Sequence, residues 1–235
     1  MSEPGSVVVT GGTGALGRAL VEVLLERGDR VAVPYRSVRG YESLRRDLGE
    51  PAGLWGGEAD VANPESVERF MTRAREALGP IDGVAAIAGA YQGNGPLESA
   101  PASEWDAMLA GNLHSAWATC RAALPHLLEN GGSVVMVSAR SVATGGAGAA
   151  AYTVSKAGVE ALTRALAAEN RERNVRFNAV APGIIDTPAN RAAMPGADTT
   201  GWVPPAQIAR VIAFLLGPES QATTGSIVAV HGSGA

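Results

Sequence analysis

Short apolar runs alternate with longer helical stretches along almost the whole chain, and this alternation constrains the fold more than any other feature. The apolar runs lack strict alternation with polar residues, as expected for parallel strands with both faces covered. The predicted strands are 6–10, 30–35, a third one ending at Ala59, 81–88, 133–137, 175–181 and 226–230. The predicted helices are 14–27, 41–48, 63–78, 103–128, 151–173 and 204–216. This order predicts an α/β protein, a three-layer, doubly wound fold around a seven-stranded parallel sheet.

The length and composition suit a single domain. The chain has 235 residues, 46% of them hydrophobic, so it can bury a sizeable core, and doubly wound sheets of this length are often undivided. We therefore expect one domain over residues 1–235. Within it, residues 186–203 combine prolines and glycines with little periodicity, and we expect them to form a flap over the substrate.

The same composition argues against several classes of partner. The net charge is −4 and the charges are mixed, so the chain has no basic stripe of the kind that binds nucleic acid. No apolar run approaches the roughly 20 residues of a membrane span, and the first residues lack the pattern of a signal peptide. Cys120 is the only cysteine and no His, Asp and Glu cluster has ligand spacing, so we predict no metal site. These features favour a cytoplasmic protein that acts on a small molecule.

A glycine-rich loop connects the first predicted strand to the first predicted helix. Gly12, Gly14 and Gly17 satisfy the pattern G-x-G-x-x-G, whose glycines allow a tight turn, a close approach to a pyrophosphate and helix–strand packing. The amides at the start of the helix then offer hydrogen bonds to phosphate oxygens. The position of the loop in the first β-α unit predicts a dinucleotide-binding (Rossmann) domain.

The residues after the second predicted strand bear on which nicotinamide cofactor binds. NAD-binding chains usually carry an acid there, about 20 residues past the glycines, to bind the ribose 2′-hydroxyl. Here residues 33–39 include no acid, and Arg36 can pair with a 2′-phosphate, assisted by Ser37 or Arg39. We therefore favour NADP(H) as the cofactor, with NAD(H) as the alternative.

The chain has a single lysine, and that lysine lies four residues after a tyrosine. Of the 19 Lys and Arg residues, only Lys156 is lysine, and it follows Tyr152 at the spacing i,i+4. On a helix this spacing brings the phenol and the ammonium onto one face. Because a nearby cation favours the phenolate, we expect Lys156 to lower the pKa of Tyr152 below its usual value of about 10.

Several motifs occur in one order along the chain, from about residue 7 to residue 232. They are the glycine loop, Asp60-Val61, Asn112, the Tyr152/Lys156 pair and Pro182-Gly183. Together they resemble the short-chain dehydrogenase/reductase family of NAD(P)-dependent oxidoreductases. The resemblance implies hydride transfer between NADP(H) and a carbonyl or alcohol substrate. It also implies cofactor contacts from Gly11, Gly12, Thr13, Ala15, Leu16, Arg36, Ser37, Asp60, Val61, Ala88, Gly89, Tyr152, Lys156, Pro182, Gly183, Ile185 and Thr187.

The same resemblance implies catalytic roles and an assembly. Tyr152 would pass a proton to or from the substrate oxygen, Lys156 would lower its pKa and bind the nicotinamide ribose, and Asn112 would hold a water in a proton relay. Thr187 would bond the nicotinamide carboxamide. The helices 103–128 and 151–173 would pair across a two-fold axis, which predicts a homodimer or homotetramer.

Three departures from the family pattern stand out. Ala15 replaces the middle glycine of T-G-x-x-x-G-x-G, and residues 86–89 read Ala-Ile-Ala-Gly where the family has Asn-Asn-Ala-Gly. The catalytic serine usually lies thirteen residues before the tyrosine, and that position is Ala139. Ser138 is then our candidate for the catalytic serine, with Ser141 as the alternative. Without either, the substrate carbonyl loses one polarising hydrogen bond.

Two further interpretations stay open. Dihydropteridine reductases, members of the same family, keep the Tyr/Lys pair, lack the serine and are similar to this chain over residues 186–198, ending near Trp202. They generally prefer NADH, so a pterin with a C=N bond is the second candidate substrate. The protein could instead be a non-enzyme, a redox sensor that binds NADP(H) without catalysis. Such a sensor would not need a tyrosine whose pKa is shifted by a neighbouring lysine. For an enzyme, Met194 and Trp202 in the flap are the candidate substrate contacts.

Overall fold

The computed structural model describes residues 5–232, and in this range seven parallel strands form one sheet. The strands are β1 (Ser6–Thr10), β2 (Arg30–Tyr35), β3 (Leu54–Glu58), β4 (Gly83–Ala86), β5 (Gly132–Val137), β6 (Val175–Pro182) and β7 (Ile227–Val230). Their order in the sheet is β3-β2-β1-β4-β5-β6-β7. The chain therefore winds outward from β1 to β3, crosses back, and winds the other way from β4 to β7. The reversal between β1 and β4 opens a crevice at the carboxyl ends of these strands, where such folds bind ligands.

Helices cover both faces of the sheet. They are α1 (Ala15–Glu26), α2 (Val38–Asp47), α3 (Pro64–Leu78), α4 (Ala102–Met108), α5 (Ser115–Leu127), α6 (Ser141–Thr144), α7 (Ala150–Glu169), α8 (Pro188–Ala193) and α9 (Pro205–Leu216). Helices α1, α2 and α9 pack on one face, and α3, α5 and α7 pack on the other. The predicted three-layer, doubly wound Rossmann fold is confirmed.

Each face of the sheet has its own apolar core. Leu24 and Ile212 are fully buried between α1, α9 and the sheet, and Phe70 and Phe177 are fully buried on the opposite face. Burying each of these side chains contributes about 1.5–3 kcal/mol. The helices pack their apolar faces against both sides of the sheet, so the strand ends that form the crevice are fixed by two packed cores. Within residues 5–232, no helix is long and apolar enough to cross a membrane.

The elements differ from the sequence prediction mainly around the crevice. The helix predicted over 103–128 is present and continuous from Ala102 to Leu127, but a π-helical turn, Leu109–His114, which was not predicted, interrupts its α-helical pattern. The wider turn carries Asn112, and such turns are frequent at functional sites. Helices α6 and α8 were not predicted, since four and six residues are too few for a helical period to be visible. Helix α2 begins at Val38 rather than near residue 41, because the Ser37 hydroxyl accepts a hydrogen bond from the Gly40 amide and caps it.

Candidate active site

The crevice between β1 and β4 continues as a cleft of about 560 Å³ along the carboxyl ends of the strands. The loop after β1, the ends of β2 to β5 and the first turns of α7 line it. The predicted site residues that line the cleft are Gly11, Thr13, Ala15, Leu16, Arg36, Asp60, Val61, Ala88, Gly89, Tyr152, Lys156 and Ile185. The predicted site residues that lie outside this lining are Gly12, Ser37, Asn112, Ser138, Pro182, Gly183, Thr187, Met194 and Trp202.

The loop after β1 has the shape that a pyrophosphate requires. Gly11 has φ +72°, and a Cβ there would come within 2.9 Å of the Cα of Ala88, so the loop can pack against the end of β4 only with glycine. A Cβ on Gly17 would overlap the carbonyl oxygen of Gly11. Helix α1 begins after Gly14 with no side-chain cap, and the residues of its first turn, whose amides have no intrahelical partner, line the cleft. These residues fit the phosphates of a dinucleotide.

The end of β2 carries a positive charge and no acid. Arg36 lines the cleft and is exposed, and within the described range it forms no ion pair. The N-terminus of α2, capped by Ser37, follows directly. Across the cleft, Asp60 Oδ1 accepts a hydrogen bond of 3.0 Å from the Ala62 amide, which turns the chain after β3 along the rim.

Lys156 lies at the other end of the cleft, almost completely buried. Its side chain is 5% exposed, and its Nζ donates a hydrogen bond of 2.9 Å to the carbonyl oxygen of Val137 at the end of β5. The Nζ atom lies 5.8 Å from the centre of the Tyr152 ring. Burial disfavours the ammonium and lowers the pKa of Lys156 to about 8.

The expectation that this lysine lowers the pKa of Tyr152 is wrong for this structure. Burial and, as a smaller cause, the neighbouring phenol of Tyr91 together raise the pKa of Tyr152 to about 12. The physical reason is that Lys156 Nζ bonds to Val137 and is itself desolvated, so burial outweighs its attraction for a phenolate. Tyr152 therefore keeps its proton at neutral pH, as a proton donor must.

Asn112 joins two segments behind the cleft. Its side chain is 1% exposed, accepts a hydrogen bond of 2.9 Å from the Ala90 amide and donates one of 3.0 Å to the Ala90 carbonyl. It also donates one of 3.0 Å to Ser155 Oγ on α7. A Cβ on Gly89 would lie 2.5 Å from Asn112 Oδ1, so glycine is needed for this approach. The side-chain amide thus fixes the loop after β4 against α7, next to Lys156.

The structure does not bring Ser138 into the cleft. Its hydroxyl, 1% exposed, donates a hydrogen bond of 2.8 Å to Glu160 Oε1 on α7, because the residue points under the helix rather than along the strand end. Ser141, the alternative, starts α6 and is also outside the cleft lining, with its Oγ 3.4 Å from Thr153 Oγ1. Ala139, at the family's serine position, offers only a buried methyl group.

Comparisons with known proteins agree with this geometry. A family model described as enoyl-(acyl carrier protein) reductase matches residues 12–233. Carbonyl reductase family member 4 of Danio rerio is 33% identical over 230 residues, covering 96% of this chain and 95% of that protein. Acetoacetyl-CoA reductase of Synechocystis is 35% identical over 237 residues, covering 97% and 95%. The chain belongs to the short-chain dehydrogenase/reductase family.

A solved short-chain oxidoreductase also superposes on nearly the whole chain. The short-chain oxidoreductase of Pseudomonas aeruginosa PAO1, described as containing an atypical catalytic centre, superposes with a TM-score of 0.89 at 26% identity, covering 98% of this chain and 97% of that one. Membership of the short-chain dehydrogenase/reductase family makes the protein an oxidoreductase that uses a nicotinamide cofactor. The family assignment and the enzyme class predicted from the sequence are thereby confirmed.

In this short-chain dehydrogenase/reductase, the segment predicted as a flap contains α8, and an isolated β-bridge between Ile185 and Val203 pairs its two ends. Thr187 Oγ1 accepts a hydrogen bond of 3.1 Å from the Asn190 amide and so caps α8. Trp202 is buried, 8% exposed, and is not among the residues that line the cleft. Met194, at the end of α8, is half-buried and outside the cleft lining.

Tyr91 is a cleft residue that sequence reasoning missed. It lies in the loop after β4, lines the cleft and packs edge-on against Tyr152, with the ring centres 4.9 Å apart and the planes at 74°. A signal was present, because Tyr91 is the first side chain with a hydroxyl after the predicted fourth strand, and carboxyl ends of parallel strands carry the site in this fold.

Proposed function

We propose that this oxidoreductase reduces carbonyl groups with NADPH. The observation that carries the proposal is the position of Tyr152 and Lys156, which both line the cleft, with the Lys156 ammonium 5.8 Å from the centre of the Tyr152 ring. The reaction adds one hydride and one proton to the carbonyl and yields an alcohol and NADP⁺. The Tyr152 hydroxyl lies at the cleft and makes no hydrogen bond to protein within the described residues, so it is free to donate its proton to a substrate oxygen.

The cofactor would be held by backbone at one end of the cleft and by side chains at the other. The first-turn amides of α1, at Ala15 and Leu16, would bind the pyrophosphate, with Gly11, Gly12 and Thr13 around it. Asp60 and Val61 would border the adenine. On the nicotinamide side we propose contacts from Ala88, Gly89, Lys156, Pro182, Gly183, Ile185 and Thr187. When bound there, NADPH supplies the hydride.

The preference for NADPH rests on the end of β2. Arg36 is exposed at the cleft with no acidic partner in the described range, and Ser37 ends the loop that leads into α2. A 2′-phosphate would gain a charge-assisted hydrogen bond from Arg36. An NADH site would instead need a carboxylate at this point for the 2′-hydroxyl.

The chain's own groups account for the proton. Tyr152 would donate its proton to the substrate oxygen, and the ammonium of Lys156 would stabilise the phenolate so formed. Because Lys156 is nearly excluded from water, its charge acts in a low-dielectric environment and is screened little. We propose that Asn112 assists by fixing the loop after β4 against α7. Because its side-chain amide is already hydrogen-bonded, a relay water would bind to the backbone of Asn112 instead.

The substrate class that we propose first is a β-ketoacyl thioester or a similar ketone. The support is the names of the relatives, a carbonyl reductase and an acetoacetyl-CoA reductase that match nearly the whole chain. A quinonoid dihydropterin is the second candidate, because position 139 is alanine and the Ser138 hydroxyl is bonded to Glu160, so the family's serine position offers no hydroxyl, as in dihydropteridine reductases.

A panel assay tests the proposal. Oxidation of NADPH and of NADH is measured with acetoacetyl-CoA, an aromatic 1,2-diketone and a quinonoid dihydropterin, and binding of both cofactors is measured by fluorescence. Turnover of a ketone with NADPH supports the proposal, whereas turnover of the pterin alone supports the second candidate. Tight NADPH binding with no turnover of any acceptor would instead favour the redox sensor.

We also propose that the enzyme forms a homodimer or homotetramer through α5 and α7. The support is an apolar groove of about 290 Å³ on these helices. It is lined by Trp117, Cys120, Arg121, Leu124, Pro125, Leu128 and Leu166. Light scattering of the wild type and of Leu124→Glu would detect the assembly, because a charge in the groove should dissociate it.

A further inference from the structure

We propose that Tyr91 supplies the second hydrogen-bond donor to the substrate oxygen, in the role that a serine fills when one is present at position 139. The inference deepens the proposed carbonyl reduction and rests on it. In this arrangement two phenols, Tyr91 and Tyr152, bind one oxygen, and only Tyr152 transfers its proton. The Tyr91 hydroxyl stays protonated and polarises the carbonyl.

A census of hydroxyl groups singles out Tyr91. Within the described range, the cleft-lining residues with a hydroxyl are Thr13, Tyr35, Tyr91, Ser115 and Tyr152. Thr13 follows β1, and Tyr35 lies at the end of β2. In the sheet, β4 lies between β1 and β5, and both β1 and β4 lie between β2 and β5, where Lys156 is bonded. Ser115 Oγ donates a hydrogen bond of 2.6 Å to the Gly111 carbonyl and is buried in the helix. Tyr91 is therefore the remaining side-chain hydroxyl beside Tyr152.

The Tyr91 hydroxyl is available for a ligand. The side chain is 66% exposed, and within residues 5–232 its hydroxyl makes no hydrogen bond to protein. The Tyr152 hydroxyl makes none either. Two phenols whose rings are 4.9 Å apart thus present unused donors at the mouth of one cleft. The buried methyl group of Ala139 cannot compete with them for a carbonyl oxygen.

A junction of glycines sets the position of Tyr91. The Gly95 amide donates a hydrogen bond of 3.2 Å to the Gly148 carbonyl, which joins the loop after β4 to the loop before α7. A Cβ on Gly93 would lie 2.7 Å from the Tyr91 hydroxyl and 3.0 Å from the Cβ of Ala149. The absence of side chains at this junction lets the phenol approach the first turn of α7, where Tyr152 lies.

The test compares four proteins: wild type, Tyr91→Phe, Ala139→Ser and the double variant. Phenylalanine keeps the ring contact with Tyr152 and removes only the hydroxyl. We expect Tyr91→Phe to lower kcat about 10²-fold with acetoacetyl-CoA or the aromatic diketone, the usual loss for one oxyanion donor. KM should change little, and the Kd for NADPH, read by fluorescence, should stay within about twofold.

Rescue gives the sharper readout. Ala139→Ser offers a hydroxyl at the vacant position, so it should restore kcat about tenfold or more in the Tyr91→Phe background and change the wild type by less than about threefold. Tyr41→Phe, which removes a hydroxyl outside the cleft, is the matched control and should leave kcat unchanged. If Tyr91 had a purely structural role, a serine at position 139 would not restore the kcat of Tyr91→Phe.

Each outcome decides the matter. If the wild type reduces a ketone and Tyr91→Phe keeps kcat within about twofold, the assignment of Tyr91 is overturned while the proposed function stands. A large loss that Ala139→Ser fails to restore also overturns it. If the wild type binds NADPH but reduces no carbonyl in the panel, the proposed function falls, and the Tyr91 assignment falls with it because no substrate oxygen exists to bind.

Discussion

The two ends of the cleft are built in different ways. At the phosphate end, one continuous segment supplies the turn, the glycines and the first helical amides, and packing against Ala88 requires Gly11 to lack a side chain. At the proposed catalytic end, Tyr91, Lys156 and Asn112 come from segments far apart in the chain. The first end depends on a backbone shape that tolerates few substitutions. The second depends on which side chains meet, so a hydroxyl can move from one segment to another.

The two ends also differ in how charge is treated. Arg36 stays in water, where a cation carries little desolvation penalty, whereas Lys156 is buried and its pKa falls to about 8. The exposed cation can select a ligand at small cost in stability. The buried ammonium is expected to cost stability, and its position beside Tyr152 is consistent with the catalytic role that we propose for it.

The largest expected effect is at the catalytic end. We predict that Tyr152→Phe lowers kcat by about 10³-fold, because the variant loses the proton donor while the ring remains. NADPH binding, measured by fluorescence, should be nearly intact, since the phosphate end is untouched. Tyr41→Phe is the control. A Tyr152→Phe enzyme within tenfold of wild-type kcat would remove this phenol from the mechanism.

The second prediction concerns the stability cost of Lys156. We predict that Lys156→Met loses activity and, below pH 8, unfolds with a free energy about 3 kcal/mol larger than that of the wild type, less any cost of leaving the Val137 carbonyl unpaired. The folded-state pKa lies below the usual 10.5, so the unfolded chain binds more protons between pH 8 and 10.5. Wild-type stability should therefore rise with pH in that window, relative to the variant.

The measurement is chemical denaturation of both proteins across that pH range. Because Lys156 is the only lysine in the chain, no other lysine contributes to the difference. A difference in unfolding free energy that stays constant from below pH 8 to 10.5 would mean that this ammonium pays no burial penalty.

The same contrast explains what the sequence could and could not predict. The fold, the phosphate loop and the Tyr152/Lys156 pair were predictable, because each depends on local spacing or on apolar patterning. The edge-on contact of Tyr91 with Tyr152 was not, since it depends on a glycine junction between two loops. The direction of the Ser138 side chain was also hidden, because a shift of one residue along a strand end moves a hydroxyl from the cleft to the underside of α7.

The third prediction tests Arg36 at the phosphate end of the cleft. We predict that Arg36→Asp shifts the ratio of kcat/KM for NADPH over NADH by about 30-fold toward NADH, as expected for loss of a charge-assisted bond worth about 2 kcal/mol. Arg46→Asp makes the same charge change at an exposed site on α2 and is the control. An unchanged ratio in Arg36→Asp, or an equal shift in Arg46→Asp, would exclude a specific contact with the 2′-phosphate.

The smallest effect is expected at the serine that the sequence suggested for catalysis. We predict that Ser138→Ala lowers the free energy of unfolding by about 1 kcal/mol, because it removes a buried hydrogen bond to Glu160. Arg164 still pairs with that carboxylate at 3.1 Å, which limits the loss. Since the hydroxyl points beneath α7, kcat should stay within about twofold of the wild type. Ser141→Ala is the matched comparison, and a selective fall in kcat of Ser138→Ala with unchanged stability would return this serine to the catalytic end and weaken the case for Tyr91.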